Sequence, residues 1–376
     1  MNAPAGPLAV AQRRRGMPRG WELLIVLAVL VLLPIRFTDQ VFVPPPIYNR
    51  ITDLFIFAIL ALGLNVVVGY TGLLHLGIGA FFGIGAYLTG IATVQAYPFQ
   101  MGFAGSVIVA TVGAALCGLI LGAPTLRLRG DYLALVTLGF GEVVNVSLRN
   151  LEEITAGTRA LGPIPPPGAK FVEEYWPYYY LALGFLTVVV LLLMSFEQSR
   201  LGRALVALRE DELAASCMGI NVPRVKLAAF ALSAGIAGLA GCLYATKLTN
   251  TANPDAYGFN MSITVLCCII LGGLGSIRGA LLGVLLLKGY EFLLGPALDQ
   301  WSQGFKANVV ESLKFHFPGD DSLVEKAQTL LTFSNWKLMI FGLALIIVVR
   351  FRPEGLLPSR RVQHELHEVE HASPRR

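Results

Sequence analysis

The chain has 376 residues, 55% of them apolar and only 14% charged, with a mean hydropathy of +0.64; soluble domains carry nearer a quarter charged residues, so a soluble globular protein is excluded. The net charge of +5 and a pI near 9.0 do not indicate nucleic acid, because Lys and Arg sit in short stretches flanking apolar runs, where they report topology.

Uncharged runs such as residues 23–35, 107–123 and 178–195 belong in lipid, which admits only elements whose backbone hydrogen bonds are internal. Residues 181–194 are apolar on every side, whereas a barrel strand alternates in polarity. The predicted fold is therefore all-α and polytopic, with about ten transmembrane helices. Candidate spans lie near 21–35, 51–70, 72–97, 103–123, 131–147, 177–195, 227–246, 259–275, 279–295 and 335–350. Arg13, Arg14, Arg15 and Arg19 precede the first run, and no small-residue cleavage site follows it, so 21–35 reads as a retained span behind a cytoplasmic segment 1–20.

With that basic N-terminus in the cytoplasm, the other basic loops fall on the same side. Arg127 and Arg129 follow four spans, Arg200, Arg203, Arg209, Arg224 and Lys226 follow six, Arg278 follows eight, and Arg350, Arg352, Arg360 and Arg361 follow ten. Both termini are then cytoplasmic, the membrane domain covers 21–351, and residues 352–376 form a cytoplasmic tail. Outside, the proline runs at 44–46 and 165–167 favour stiff extended backbone, Lys170 faces outward, and 296–334 form a polar extracytoplasmic insertion, a solvated cap. His364, His367 and His371 share a helical face but are interleaved with Glu365, Glu368 and Glu370, an ordinary solvated end. The five cysteines have no metal-ligand spacing and read as free thiols.

Few polar residues inside the candidate spans stand out, namely Asn65, His75, Glu142 and Asn145. Each must face protein or water. His75 reads as a hydrogen-bonded packing residue. Glu142 lacks a cation in its own span and must be protonated, paired or hydrated; packing through a hydrogen bond is preferred over gating as an ion. Gly77, Gly79, Gly83 and Gly85, with Gly272, Gly273 and Gly275, allow either close helix approach or an unwound break lining a cavity. The candidate translocation path comprises Gly77, Gly79, Phe81, Phe82, Gly83, Glu142, Gly272, Gly273 and Gly275.

The loop 199–226 is long, charged and helix-favouring, with Ala214 and Ala215 beside the Arg209-Glu210-Asp211-Glu212 cluster. Two short helices broken at Gly219 would present a flat surface suited to a partner's groove. No phosphate loop, His-Glu-x-x-His site or nucleophile elbow is present, so no catalytic, cofactor or metal residue is assigned, and energy must come from another subunit.

This loop resembles the coupling helix of ABC importer permeases, with Leu213 where a glutamate usually precedes the alanine pair. It is more similar to the LivM-type variant, in Arg209-Glu210-Asp211-Glu212 and Gly219-Ile220. The resemblance to the branched-chain amino-acid permease family extends through Gly69-Tyr70-Thr71-Gly72-Leu73-Leu74, Ala80 to Tyr87, Arg127 to Glu142, Leu271 to Ser276 and Arg352-Pro353-Glu354-Gly355-Leu356-Leu357, covering about residues 50–358. At Ile154-Thr155-Ala156-Gly157 the family usually has two glycines.

The resemblance implies a permease subunit of the bacterial inner membrane, moving leucine, isoleucine and valine. Its implied partners are a LivH-type second permease, two ABC ATPase subunits and a periplasmic amino-acid-binding protein. Coupling to the ATPases falls on Arg209, Glu210, Asp211, Glu212, Ala214, Ala215 and Gly219. Related permeases carry urea or short-chain amides, but Glu153-Ile154-Thr155 with Pro163-Ile164-Pro165-Pro166 is similar to the LivM branch. An ATP-independent channel or carrier leaves loop 199–226 without a purpose, and a membrane-embedded enzyme lacks converging catalytic groups.

Overall fold

The computed structural model describes residues 45–125, 131–168, 171, 176–304, 332–352 and 355–357. Among them every regular element is helical. The predicted span at 21–35, the arginines at 127 and 129, Lys170, most of the 296–334 insertion and the histidine tail lie outside the described residues.

Helix α1, Pro45–Thr71, starts on two prolines. The expected stiff outer segment is thus its first turn, where a missing N–H costs nothing and the fixed φ suits a helix. Gly72 to Gly77 then run without regular structure into α2, Ile78–Thr93, α3, Phe103–Thr125, and α4, Asp131–Asn150. A membrane-length helix α5, Trp176–Gln198, leads to the short α6, Arg200–Glu210, and α7, Glu212–Cys217. The long α8, Val222–Leu248, is followed by α9, Phe259–Gly272, and α10, Ile277–Gly289. A wide π turn, Tyr290–Leu294, carries α10 on into Gly295–Trp301. Last comes α11, Lys337–Phe351.

Among the described residues, six helices are long and apolar enough to cross a membrane: Ile47–Thr71, Phe103–Pro124, Trp176–Gln198, Val222–Leu248, Pro254–Gly272 and Ile277–Trp301. Ile78–Thr93 and Met339–Val348 are apolar but shorter. The candidate span at 72–97 shortens to α2 because Gly72 to Gly77 leave the helix, and α4 covers the candidate span at 131–147. The chain is a multi-pass helical membrane protein.

Helix α8 is the hub, packed against α1, α2 and α3. Lipid supplies no hydrophobic drive between helices, so close backbone approach through small residues must hold them. The sequence provides it: a Cβ on Gly238 would lie 2.6 Å from the Ala110 carbonyl, and one on Gly241 would strike the Phe82 carbonyl. Buried hydroxyls bond within their own helices, as Thr52 Oγ1 does to the Tyr48 carbonyl (2.8 Å) and Thr246 Oγ1 to the Cys242 carbonyl (2.8 Å). Outward residues are apolar where lipid is expected: Ile108, Val112, Leu116 and Ile120 recur every four residues along α3.

Four charges inside the bundle escape a sequence count of polar span residues. Lys247 of α8 pairs with Asp53 of α1 (2.5 Å), and Lys288 of α10 with Glu291 (2.7 Å). Lys288 also lies over the Phe57 ring, 4.3 Å from its centroid.

Candidate functional site

Residues 199–226 fold into two short helices, but the break falls at Asp211 rather than at Gly219. Ser199 caps α6 by accepting from the Gly202 N–H (3.1 Å). Asp211, in extended backbone (φ −154°, ψ 115°), ends α6 and caps α7, its Oδ1 accepting from the N–H groups of Leu213 (2.7 Å) and Ala214 (3.0 Å). A residue that prefers capping to helix interiors therefore divides the segment. Gly219 closes α7 at φ +82°: its N–H donates to the Ser216 carbonyl and that of Ile220 to the Ala215 carbonyl, the left-handed helix ending that glycine favours.

The pair is bonded to the bundle at both ends. Arg209 Nη1 donates to the Gly69 carbonyl in the last turn of α1 (2.8 Å). Lys226 Nζ, at the start of α8 and only 3% exposed, pairs with Glu212 Oε1 (2.9 Å). Of the alanine pair, Ala215 is buried and Ala214 exposed. Glu210 and Asp211 face outward, with Leu213 and Met218 exposed at 64% and 84%. Two large apolar side chains are thus left uncovered beside the charged residues of this turn.

Beneath Arg209 the chain ties a second knot. Asn65 Oδ1 accepts from the Gly275 N–H (3.0 Å). Gly275 has φ +77°, and a Cβ on Gly69 would lie 2.6 Å from the Gly275 nitrogen. Gly272 packs against the Gly279 carbonyl, bringing α9 and α10 together at backbone distance. The N–H groups of Leu356 and Leu357 donate to the carbonyls of Leu271 (3.0 Å) and Gly272 (2.9 Å), satisfying the open end of α9. Segments around residues 209, 275 and 356, which the charge pattern put on one side, meet the C-terminal end of α1 near residue 70 at one end of the bundle.

The other glycine group surrounds the start of α2. Gly77 abuts the Thr137 carbonyl of α4, a Cβ on Gly79 would lie 2.6 Å from the Tyr257 carbonyl, and Gly83 packs on the Tyr257 ring. Gly79 N–H donates to Ser262 Oγ (3.0 Å) and Leu76 N–H to Thr137 Oγ1 (3.0 Å). His75 is fully buried between the rings of Phe81 (5.7 Å) and Phe230 (5.5 Å). Among the described residues neither of its ring nitrogens has a hydrogen-bond partner; aromatic packing, not the expected hydrogen bond, holds it.

Gly77, Gly79, Phe81, Phe82, Gly83, Gly272, Gly273 and Gly275 are all buried inside the chain, where the glycines serve close approach. Glu142 stands apart: it is exposed on α4, and no described residue bonds to it, so the packing hydrogen bond expected for it is not found here.

The description "Branched-chain amino acid transport system / permease component" matches residues 47–349. The chain belongs to this family. Its relatives include the high-affinity branched-chain amino acid transport system permease protein LivM of Escherichia coli, 36% identical over 83% of this chain and 70% of that protein. The probable LivM permease of Methanocaldococcus jannaschii is 24% identical over 82% of this chain and 92% of its own length. The chain is also 27% identical to LivH of Escherichia coli, over 67% of this chain and 86% of LivH. No solved structure matches the chain.

Proposed function

We propose that the chain is a membrane-spanning subunit of an ABC importer carrying leucine, isoleucine and valine across the bacterial inner membrane. A second, LivH-type permease completes the path, two ABC ATPase subunits hydrolyse ATP, and a periplasmic binding protein delivers the substrate. The chain carries out no bond chemistry. It spans the membrane about ten times, with both termini cytoplasmic.

One observation carries this reading: α6 and α7 are bonded to α1 through Arg209 and to α8 through Glu212 and Lys226, while Leu213, Ala214 and Met218 point away from the chain. A coupling element needs such a stiff root and exposed cap. When the ATPases close, force on the cap passes to the two helices that anchor it, and access switches from outside to inside.

The test is uptake of labelled leucine into proteoliposomes holding both permeases, the ATPases and the binding protein. Uptake should require ATP and all four kinds of subunit. Leucine flux without ATPases would favour a channel or carrier, and competition by urea or acetamide but not by valine would favour the amide-permease alternative.

A further inference from the structure

Helix α4 buries one face and leaves the other open. Leu133, Ala134, Thr137 and Asn145 are buried where α4 packs on α2 and on the turn Pro254–Tyr257. The opposite stripe, Leu135, Gly139, Glu142, Val143 and Val146, is exposed and follows the three- and four-residue spacing of a single helical face.

Lipid is a poor neighbour for that stripe. The interior of α4 carries a carboxylate and an amide, Glu142 and Asn145. Glu142 is well inside this 20-residue helix, about 16 Å along a length of about 30 Å. A carboxylate at that depth has to meet water, a cation or protein, and none of the described residues supplies a partner. Next to it on the same face, one turn earlier, Gly139 leaves the backbone bare: a Cβ there would point into open space, with nothing within 4 Å.

We propose that this face of α4 lines the translocation path, with Glu142 receiving the α-ammonium of the passing amino acid while the bare backbone at Gly139, between Leu135 and Val143, makes room for its aliphatic side chain. The chemistry is complementary: a mid-path carboxylate attracts the one cationic group of a zwitterion, and its apolar shoulders suit a branched side chain. A single carboxylate gives a transient contact, so the substrate can leave. Urea and neutral amides lack the cation that would make Glu142 useful. This inference rests on the importer reading.

The experiment uses the complete importer in proteoliposomes with Glu142→Gln, Glu142→Asp and Gly139→Leu. Glu142→Gln should assemble and accept the binding protein but lower the maximal leucine uptake rate at least about tenfold, the scale of one lost charged hydrogen bond. Glu142→Asp should recover part of that rate, and Gly139→Leu should slow leucine more than valine. Wild-type uptake by the Gln variant would overturn the proposal. So would normal uptake per assembled complex with fewer complexes formed, because the face would then be a seam between permeases. If the wild-type complex itself shows no ATP-dependent leucine uptake, the importer reading fails and this one falls with it.

Discussion

The guanidinium of Arg209 donates across 2.8 Å to the carbonyl of Gly69, joining the short helix α6 to the C-terminal end of span α1. That carbonyl lies in the last turn of α1, where backbone acceptors lack helical partners and the helix dipole favours a cation. Arg209 is thus an anchor rather than part of the outward cap. Arg209→Met should leave assembly largely intact but cut substrate-stimulated ATP hydrolysis about tenfold, as expected when one charged hydrogen bond is lost. Arg209→Lys should recover only part, since a lysine lacks the guanidinium's fixed fork. Stimulated hydrolysis at the wild-type level in Arg209→Met would show that the bond transmits nothing.

Gly219 offers a cleaner probe of the same element. Its φ is +82°, yet a Cβ at that position would meet nothing within 4 Å, so any effect of substitution is conformational. Gly219→Ala should destabilise the end of α7 by about 1 kcal/mol and Gly219→Val by more, whereas Gly219→Asn should be tolerated, because asparagine visits left-handed backbone. Coupling, read as substrate-stimulated hydrolysis, should fall in the order Asn, Ala, Val. Equal loss in all three would mean that Gly219 contacts the partner directly.

Much of this is legible in the sequence, and the failures have physical causes. The apolar runs locate the helices because lipid demands continuous helix, and the alanine-containing loop announces two short helices. Their break falls at Asp211 and not at the expected Gly219 because a capping aspartate competes with a glycine only through local hydrogen bonds, which spacing does not reveal. The glycines point to close approach or to a pore without choosing, since both need a missing Cβ; only three-dimensional placement puts Gly79 against Tyr257 and Gly272 against Gly279. Lys247 and Lys288 escape notice because each sits near a helix end and is neutralised by a residue that is distant in sequence or belongs to the next turn. The departure at Ala156 does carry a signal: where relatives usually have glycine, this alanine adopts φ +58°, a conformation that disfavours a side chain.

The Asp53 and Lys247 pair should behave as a unit. Lys247 Nζ also donates to the Asn49 carbonyl (2.7 Å), so α8 is held to the first turns of α1 by two bonds. Lys247→Met would leave Asp53 without its cation in a mostly buried setting, costing about 3 kcal/mol. The double variant Asp53→Asn with Lys247→Met should recover most of that loss, because a neutral site avoids the desolvation of both charges. Thermal unfolding of the purified complex in detergent reads the difference. If the double variant is as unstable as the single, the pair contributes more than mutual neutralisation.

Cys217 provides a native reporter for orientation and docking together. It closes α7 and is exposed, whereas Cys242 and Cys268 are buried and Cys117 and Cys267 are partly covered in apolar helices. A membrane-impermeant maleimide should therefore label Cys217 in inside-out vesicles and not in right-side-out ones, if residues 199–226 face the cytoplasm. The same thiol lies one residue from Met218, the most exposed apolar side chain of the turn. Docking of the ATPase subunits should then shield it, and the labelling rate in inside-out vesicles should drop when they are added and return when they are stripped. A Cys217→Ser chain supplies the background. Labelling from the outside would reverse the topology of the whole chain. Labelling that is cytoplasmic but indifferent to the ATPases would keep the topology and move the docking surface away from α7.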